Sequence, residues 1–386
     1  MADWRDDVRQ DYEDLKRRFR TTTVDDLKSG NWFAELVQWI LSNYARTVDA
    51  TYIRRKYPGA SPANQAKKVI TLASKYNGIA GGLSASAITA LELSSIGPQA
   101  LVTLPAVGTL IVVDVAYSSR TQLRATYDLS LIHKAPLSLD DADDCYLIFL
   151  TAMGIKLHEI MGGVGKVVGP RIVAYNVRKL LRAGLRKALQ EALKRVGGVR
   201  LAKILTERAI MRLLVPGISI PIASGFNYYF TRQLLRVADL QMARRGAVVQ
   251  PLVRLHAHEP RLSKTLGPKV LIAMADQGDP EGWSEAQMEA LRHCQSALSL
   301  SDEELAEFDT YFDRSVADVI KELPEEFTKG TEDLLELALV QAAFAEDDRY
   351  DAAYAEALAT IGSACGMQLS PEVALSKIQA KRRRLR

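Results

Sequence analysis

Cysteine is scarce and unpatterned in this sequence. Cys145, Cys294 and Cys365 are the only three in 386 residues, far apart and odd in number, which argues against a disulfide framework or a zinc knuckle. Reduced thiols in a cytosolic setting follow from that usage. An apolar leader is missing as well: "MADWRDDVRQDYEDLKRRFR" is too densely charged to hold the h-region of a signal peptide. No stretch alternates apolar and polar residues with the period of a strand, so the fold class expected is all-α.

Catalytic signatures are also lacking. There is no nucleophile elbow, no HExxH and no dinucleotide fingerprint. The glycines of "IMGGVGKVVGP" fail as a phosphate loop, because Ile160 stands where the first Gly belongs and Val167 where Ser or Thr must follow Lys166. Of five histidines only His256 and His258 are neighbours, a spacing that suits an extended zinc-binding segment but not one helix face. A linker between domains is the competing reading, supported by Pro251 and Pro260. A non-enzymatic protein is expected; a lipid-acting enzyme would have to use Asp114 or His158, neither with a visible partner.

What is present is a chain of ordinary globular composition, 48% hydrophobic and 25% charged. Its net charge of +4 hides an asymmetry. Residues 1–260 carry 36 Lys+Arg against 22 Asp+Glu, whereas residues 261–386 carry 14 against 24. Two halves of opposite sign imply different partners, and the basic half suits a phosphate-rich surface.

Helical periodicity runs from the start. Trp4, Val8, Tyr12, Leu15 and Phe19 share one face, and Asn31 is placed to cap a helix running through Trp32 and Val48 toward Pro58. Ser61-Pro62 forms a cap and first-turn pair, and Asn77-Gly78 reads as a stop. Residues 76–113 hold Glu92 as their only charge in thirty-eight positions, with Ile96-Gly97-Pro98 and Pro105 breaking the run into short pieces. Such a Gly/Ala/Ser-rich hairpin fits either a membrane-inserted segment or a tight bundle. Further on, Ser138 and the carboxylates of Asp140, Asp141, Asp143 and Asp144 suit a helix start.

Residues 156–212 hold fourteen Lys+Arg against three Glu, and Arg178, Lys179, Arg182, Arg186 and Lys187 lie on neighbouring helix faces. Three readings stand: a solvated bundle face, an interfacial helix on anionic lipid, or a nucleic-acid surface. Nucleic acid is the weakest, for lack of interleaved aromatics. "RLLVPGISIPIASGFNYYFTRQ" is uncharged for nineteen residues between Arg212 and Arg232, yet Pro216 and Pro221 interrupt its first half. From Ile222 the residues Ile222, Phe226, Tyr229, Phe230 and Val237 line one face of a helix continuing to Arg245.

The order of these apolar stretches resembles the EcsC family over residues 65–248, carried early by Pro105 and Asp114. Late in the segment the resemblance rests on Pro216, Gly217, Pro221, Gly225, Asn227, Thr231, Arg232, Ala238, Arg244 and Arg245. It implies a helical domain doing membrane-linked work. In the acidic half, "LIAMADQGDPEGWSEAQMEALRHCQSALSLSDEEL" and "LVQAAFAEDDRYDAAYAEALATIGSACGMQLSPE" are weak copies of each other. Ala275-Asp276 matches Ala345-Glu346, and Glu289-Ala290-Leu291 matches Glu356-Ala357-Leu358. Each copy reads as helix, acidic turn, helix, and the pair resembles the TerB fold of tellurite-resistance proteins, whose acidic turns are linked to divalent metal.

The acidic turns offer Asp276, Asp279, Glu281 and Glu285 in one copy and Glu346, Asp347, Asp348 and Asp351 in the other as hard oxygens for calcium or magnesium. Caps and solvated turn residues are the alternative, and the family's Asp-Gly turn is not reproduced. The expected organisation is a helical arm (1–60), an EcsC-like basic domain (61–250), a linker (251–260), a TerB-like acidic domain (261–380) and a basic tail (381–386). The expected function is peripheral docking on anionic membrane lipid at the inner face of the cell membrane, through the basic residues named above with Leu104, Val107 and Leu110. A partner protein or divalent ion would meet the acidic domain, in stress response, metal resistance or phage defence, with the basic tail as an electrostatic latch. A helical scaffold without membrane contact is the alternative.

Overall fold

The computed structural model describes residues 48–94, 100–135, 137, 219–278, 283–298, 300, 315–323 and 330–385, with the single or short stretches 12–15, 17, 44, 304, 307 and 311. These residues are helical or in the turns between helices, without a strand, so the fold is all-α. The chain forms two compact units, and the last boundary between them falls between Asp239 and Leu240.

The first unit holds α1 (Ala50–Lys56), α2 (Pro62–Ser94), α3 (Ala100–Ile132) and the first half of α4 (Ser219–His258). Asp49 caps α1 by accepting from the Tyr52 N–H at 2.6 Å. The backbone at 48–49 is therefore not helical, and the single helix expected from Trp32 to Pro58 does not run through. Ser61-Pro62 opens α2 as read: the Ser61 hydroxyl accepts from the Asn64 N–H at 3.4 Å, and Pro62 occupies a first-turn position whose N–H has no partner to lose. Residues of the expected N-terminal arm join this unit's core, with Tyr12 and Leu15 buried and the Tyr12 ring 6.2 Å from that of Tyr117.

Two expected breaks do not occur. Pro105 lies inside α3, which continues for 33 residues at the cost of one backbone hydrogen bond. Asn77-Gly78 does not stop α2, also 33 residues long; its glycine serves packing instead. A Cβ on Gly78 would stand 3.3 Å from the Ser224 carbonyl oxygen and from the Tyr228 Cβ, so the missing side chain lets α4 approach. α2 and α3 pack against each other. Among the described residues no helix is long and apolar enough to cross a membrane.

The second unit holds the rest of α4 with α5 (Pro260–Ala275), α6 (Glu285–Leu298), α7 (Val316–Lys321), α8 (Thr331–Ala343), a 3-10 turn (Asp348–Tyr350), α9 (Asp351–Ala364) and α10 (Pro371–Leu385). The two sequence copies appear as α5-turn-α6 and α8-turn-α9, with α5 packed on both α6 and α8. Leu271, Met274, Leu291, Leu334, Leu337, Leu358 and Ile378 share one core. Residues 251–258, read as linker, are the last two turns of α4: Pro251 is accommodated in the helix, and only Glu259 separates it from α5. Nor do residues 381–385 form a free tail, because they close α10.

Candidate functional site

In the first unit, three helices meet at a buried polar junction. The Thr231 hydroxyl on α4 accepts from the Asn77 amide of α2 at 2.8 Å and lies 3.5 Å from the Gln122 amide nitrogen of α3. All three side chains are buried to 1% exposure or less. In an apolar interior such groups fix helix register, since shifting any one helix would strand a polar atom. Thr231 thus belongs to the architecture.

α4 has two contrasting faces. Thr231, Leu234, Leu235 and Ala238 are buried, while Phe226, Tyr229, Phe230 and Val237 are 46%, 63%, 38% and 45% exposed. The exposed four recur at helical spacing along one side, and the Phe226 and Phe230 rings stack 6.0 Å apart. Arg236 is exposed beside them, and Arg232 donates to the Tyr228 hydroxyl at 3.3 Å. Of the expected apolar face, Phe226, Tyr229, Phe230 and Val237 are therefore turned outward. Pro221 sits in the first turn of α4, where proline is tolerated, and Gly225 is exposed with open space around it. Asn227 is half-buried.

A tyrosine-rich cluster lies around Asp128 on α3. The Tyr44 hydroxyl donates to the Asp128 carboxylate at 2.9 Å, the Arg124 guanidinium lies 4.9 Å from the Tyr44 ring centre, and Tyr127 meets Tyr44 edge-on at 6.1 Å. Burial pushes the Asp128 carboxyl up to about 6, against the pull of Tyr44, Lys56 and Arg124. Burial, with the nearby Asp128 charge, also raises the Tyr44 phenol well above its ordinary value. Sequence reading missed this cluster because its members come from 44 to 128 in the chain and form no local motif.

The other sequence candidates fare differently. Asp114 is buried on α3 at 3% exposure. Leu104, Val107 and Leu110 lie within α3. Arg178, Lys179, Arg182, Arg186, Lys187, Pro216, Gly217, His158, Asp279 and Glu281 lie outside the described residues.

In the second acidic turn, arginines occupy the carboxylates. Arg382 of α10, 5% exposed, donates to both oxygens of Asp351 at 2.5 and 3.0 Å and to Asp348 at 2.5 Å. Arg349 engages Asp347, whose side chain also accepts from the Arg349 N–H at 2.9 Å, and Glu346 is exposed. In the first turn Asp276 caps α5 and accepts from the Trp283 indole N–H at 2.9 Å, and Glu285 opens α6. Among the described residues no three metal-ligating side chains converge. Of the residues expected to bind calcium or magnesium, Asp276 and Asp347 are thus caps, Asp347 pairs with Arg349, and Asp348 and Asp351 pair with Arg382 of the supposed tail. Lys381 likewise reaches Glu336 at 3.2 Å.

His256 and His258 are on the helical end of α4, where successive alternate positions diverge; His256 Nδ1 lies 2.8 Å from the Ser263 hydroxyl. The extended arrangement that zinc would need is absent there. The sequence matches no family model, no curated protein and no solved structure.

Proposed function

We propose that this protein attaches peripherally to a membrane surface through its first unit and presents its second, acidic unit to a partner protein. The observation that carries the reading is the outward stripe of Phe226, Tyr229, Phe230 and Val237 on α4. Exposed aromatic and aliphatic side chains aligned on one helix face gain free energy by entering the boundary between head groups and acyl chains. Tyr229, the most exposed of the four, has an apolar ring and a polar tip that match that boundary. Arg236 beside the stripe adds the cation that an anionic leaflet attracts, at about 1 kcal/mol per residue.

The resemblance of residues 65–248 to the EcsC family agrees with membrane-linked work. For the second unit, a protein partner is favoured over a divalent ion because Arg382 and Arg349 already neutralise Asp347, Asp348 and Asp351. Flotation of the full chain with phosphatidylcholine vesicles, with and without phosphatidylserine, at low and high salt tests the reading. Co-flotation that survives high salt is expected from the apolar stripe. A chain that stays at the bottom of every gradient is the scaffold without membrane contact.

A further inference from the structure

Between Asp49 and Glu92 the sequence places six cations and no carboxylate: Arg54, Arg55, Lys56, Lys67, Lys68 and Lys75. All six are exposed, and none forms an ion pair with a described residue. Self-repulsion among unpaired like charges works against the compact state. Elsewhere the molecule pairs such charges: Arg254 meets Asp333 and Glu336, Lys264 meets Glu304, and Lys269 meets Glu322.

The cations are also gathered. The last turn of α1 and the first turns of α2 are joined at Tyr57-Pro58-Gly59-Ala60, where Gly59 takes a left-handed φ of 68° that closes the connection. Lys56 from α1 and Lys68 from α2 both come to 5.7 Å from the centre of the Tyr57 ring, and Lys56 lies 5.3 Å from that of Tyr52. One aromatic ring thus lies within cation–π reach of two ammonium groups that come from two helices. Two described carboxylates act on these cations and both are otherwise engaged: Asp49 caps α1, and Asp128, whose charge is felt by Lys56, is buried under the Tyr44 hydroxyl.

We propose that this α1–α2 corner seats the phosphate of an anionic lipid head group, bridged by Lys56 and Lys68 and flanked by Arg54, Arg55 and Lys67. The occupant fits by charge, since a phosphate supplies the counter-ion that, among the described residues, no ion pair gives these cations. A lipid is favoured over a nucleic acid because the exposed aromatics of this unit, Phe226, Tyr229 and Phe230, line α4 with Val237 as an apolar stripe and are not interleaved with the corner's cations, as base stacking along a backbone would need. The same compact unit also carries the outward apolar stripe of α4. The inference rests on the peripheral-membrane reading and adds the head-group chemistry to it.

The test uses the full chain, the variant Lys56→Gln/Lys68→Gln, and a charge-matched control, Lys377→Gln/Arg383→Gln, at exposed positions of α10. Glutamine keeps most of the aliphatic stem, and thermal melts check folding. Binding to vesicles of phosphatidylcholine alone and of phosphatidylcholine with phosphatidylserine is titrated, alongside calorimetry with soluble inositol hexakisphosphate and with a DNA oligonucleotide. The expected result is that the corner variant loses roughly thirtyfold in affinity for the anionic vesicles, keeps its affinity for neutral ones, and the control loses far less. Equal losses in the two variants, or none in the corner variant, overturn the proposal while leaving stripe-driven binding to neutral vesicles intact. Tighter binding to inositol hexakisphosphate or to DNA than to anionic vesicles, lost in the same variant, overturns the lipid assignment. Failure of the parent to bind any vesicle overturns the peripheral reading itself.

Discussion

The hydroxyl of Tyr354 stands 1.9 Å from where a Cβ on Gly278 would lie. Gly278 belongs to the acidic turn of the first sequence copy and Tyr354 to α9 of the second, so each copy is shaped around the other. The Gln287 amide donates to the same hydroxyl at 3.0 Å, and Gln287 and Tyr354 occupy matching positions in the two copies. Burial pushes the Tyr354 phenol up to about 12.

Gly278→Ala is therefore expected to destabilise the protein by about 1–3 kcal/mol, the usual range for forcing atoms into a packed site. Tyr354→Phe removes the clashing oxygen, so the double variant is expected to cost less than the sum of the single ones. Urea melts of the four proteins measure the coupling, and strict additivity would show that the two residues do not meet.

Thr231→Val tests the three-helix junction of the first unit. The substitution preserves shape but strands the Asn77 amide in a buried site, for an expected loss of about 1–3 kcal/mol. A change below a few tenths, read from chemical melts, would mean that Asn77 finds another acceptor.

Arg382 is expected to be a costly cation to remove. Arg382→Leu leaves Asp351 buried without its partner, for a loss of about 3–5 kcal/mol, and Arg382→Leu/Asp351→Leu recovers most of it. The exposed neighbour Asp348, with its side chain 70% accessible, contributes little by comparison. Thermal melts that rank the double variant below the single one would contradict this arrangement.

Asp128 gives stability a defined dependence on pH. Its folded-state value of about 6 lies above the ordinary 3.8, so the folded protein holds this proton more tightly than the unfolded chain does. The resulting stabilisation is fully present below 3.8 and is lost as pH rises through about 6. Relative to the parent, Asp128→Asn is expected to gain roughly 2–3 kcal/mol as pH rises across that window, because asparagine never ionises. Urea melts on both proteins check it; a difference that does not change with pH contradicts a buried carboxylate here.

Much of the fold was legible where chemistry is local. The all-α class, the Ser61-Pro62 helix start and the helix-turn-helix copies of the acidic half follow from periodicity and caps. Asn77-Gly78 and Pro105 misled because punctuation residues also serve tertiary packing: Gly78 admits α4 and Asn77 bonds to Thr231, neither visible within a window of neighbours. The stripe on α4 was legible as a face but not as an outward one, since periodicity groups side chains without saying what they meet. "KRRRLR" read as a basic tail that latches onto the acidic domain; Arg382 does meet Asp348 and Asp351 there, but from within α10, and no local pattern marks those partners because they lie some thirty residues upstream. The Asp128 cluster and the Tyr57 corner left no sequence motif, being assembled from separate helices.

The central claim is that Tyr229 and its neighbours enter a membrane surface. A bimane label at Tyr229→Cys, in a chain whose Cys145, Cys294 and Cys365 are replaced by alanine, reports this directly, with Val373→Cys as the exposed position of comparison on α10. On addition of phosphatidylserine-containing vesicles, the emission at position 229 is predicted to shift to the blue while that at 373 stays in place. No shift at 229, or the same shift at both positions, would contradict the account.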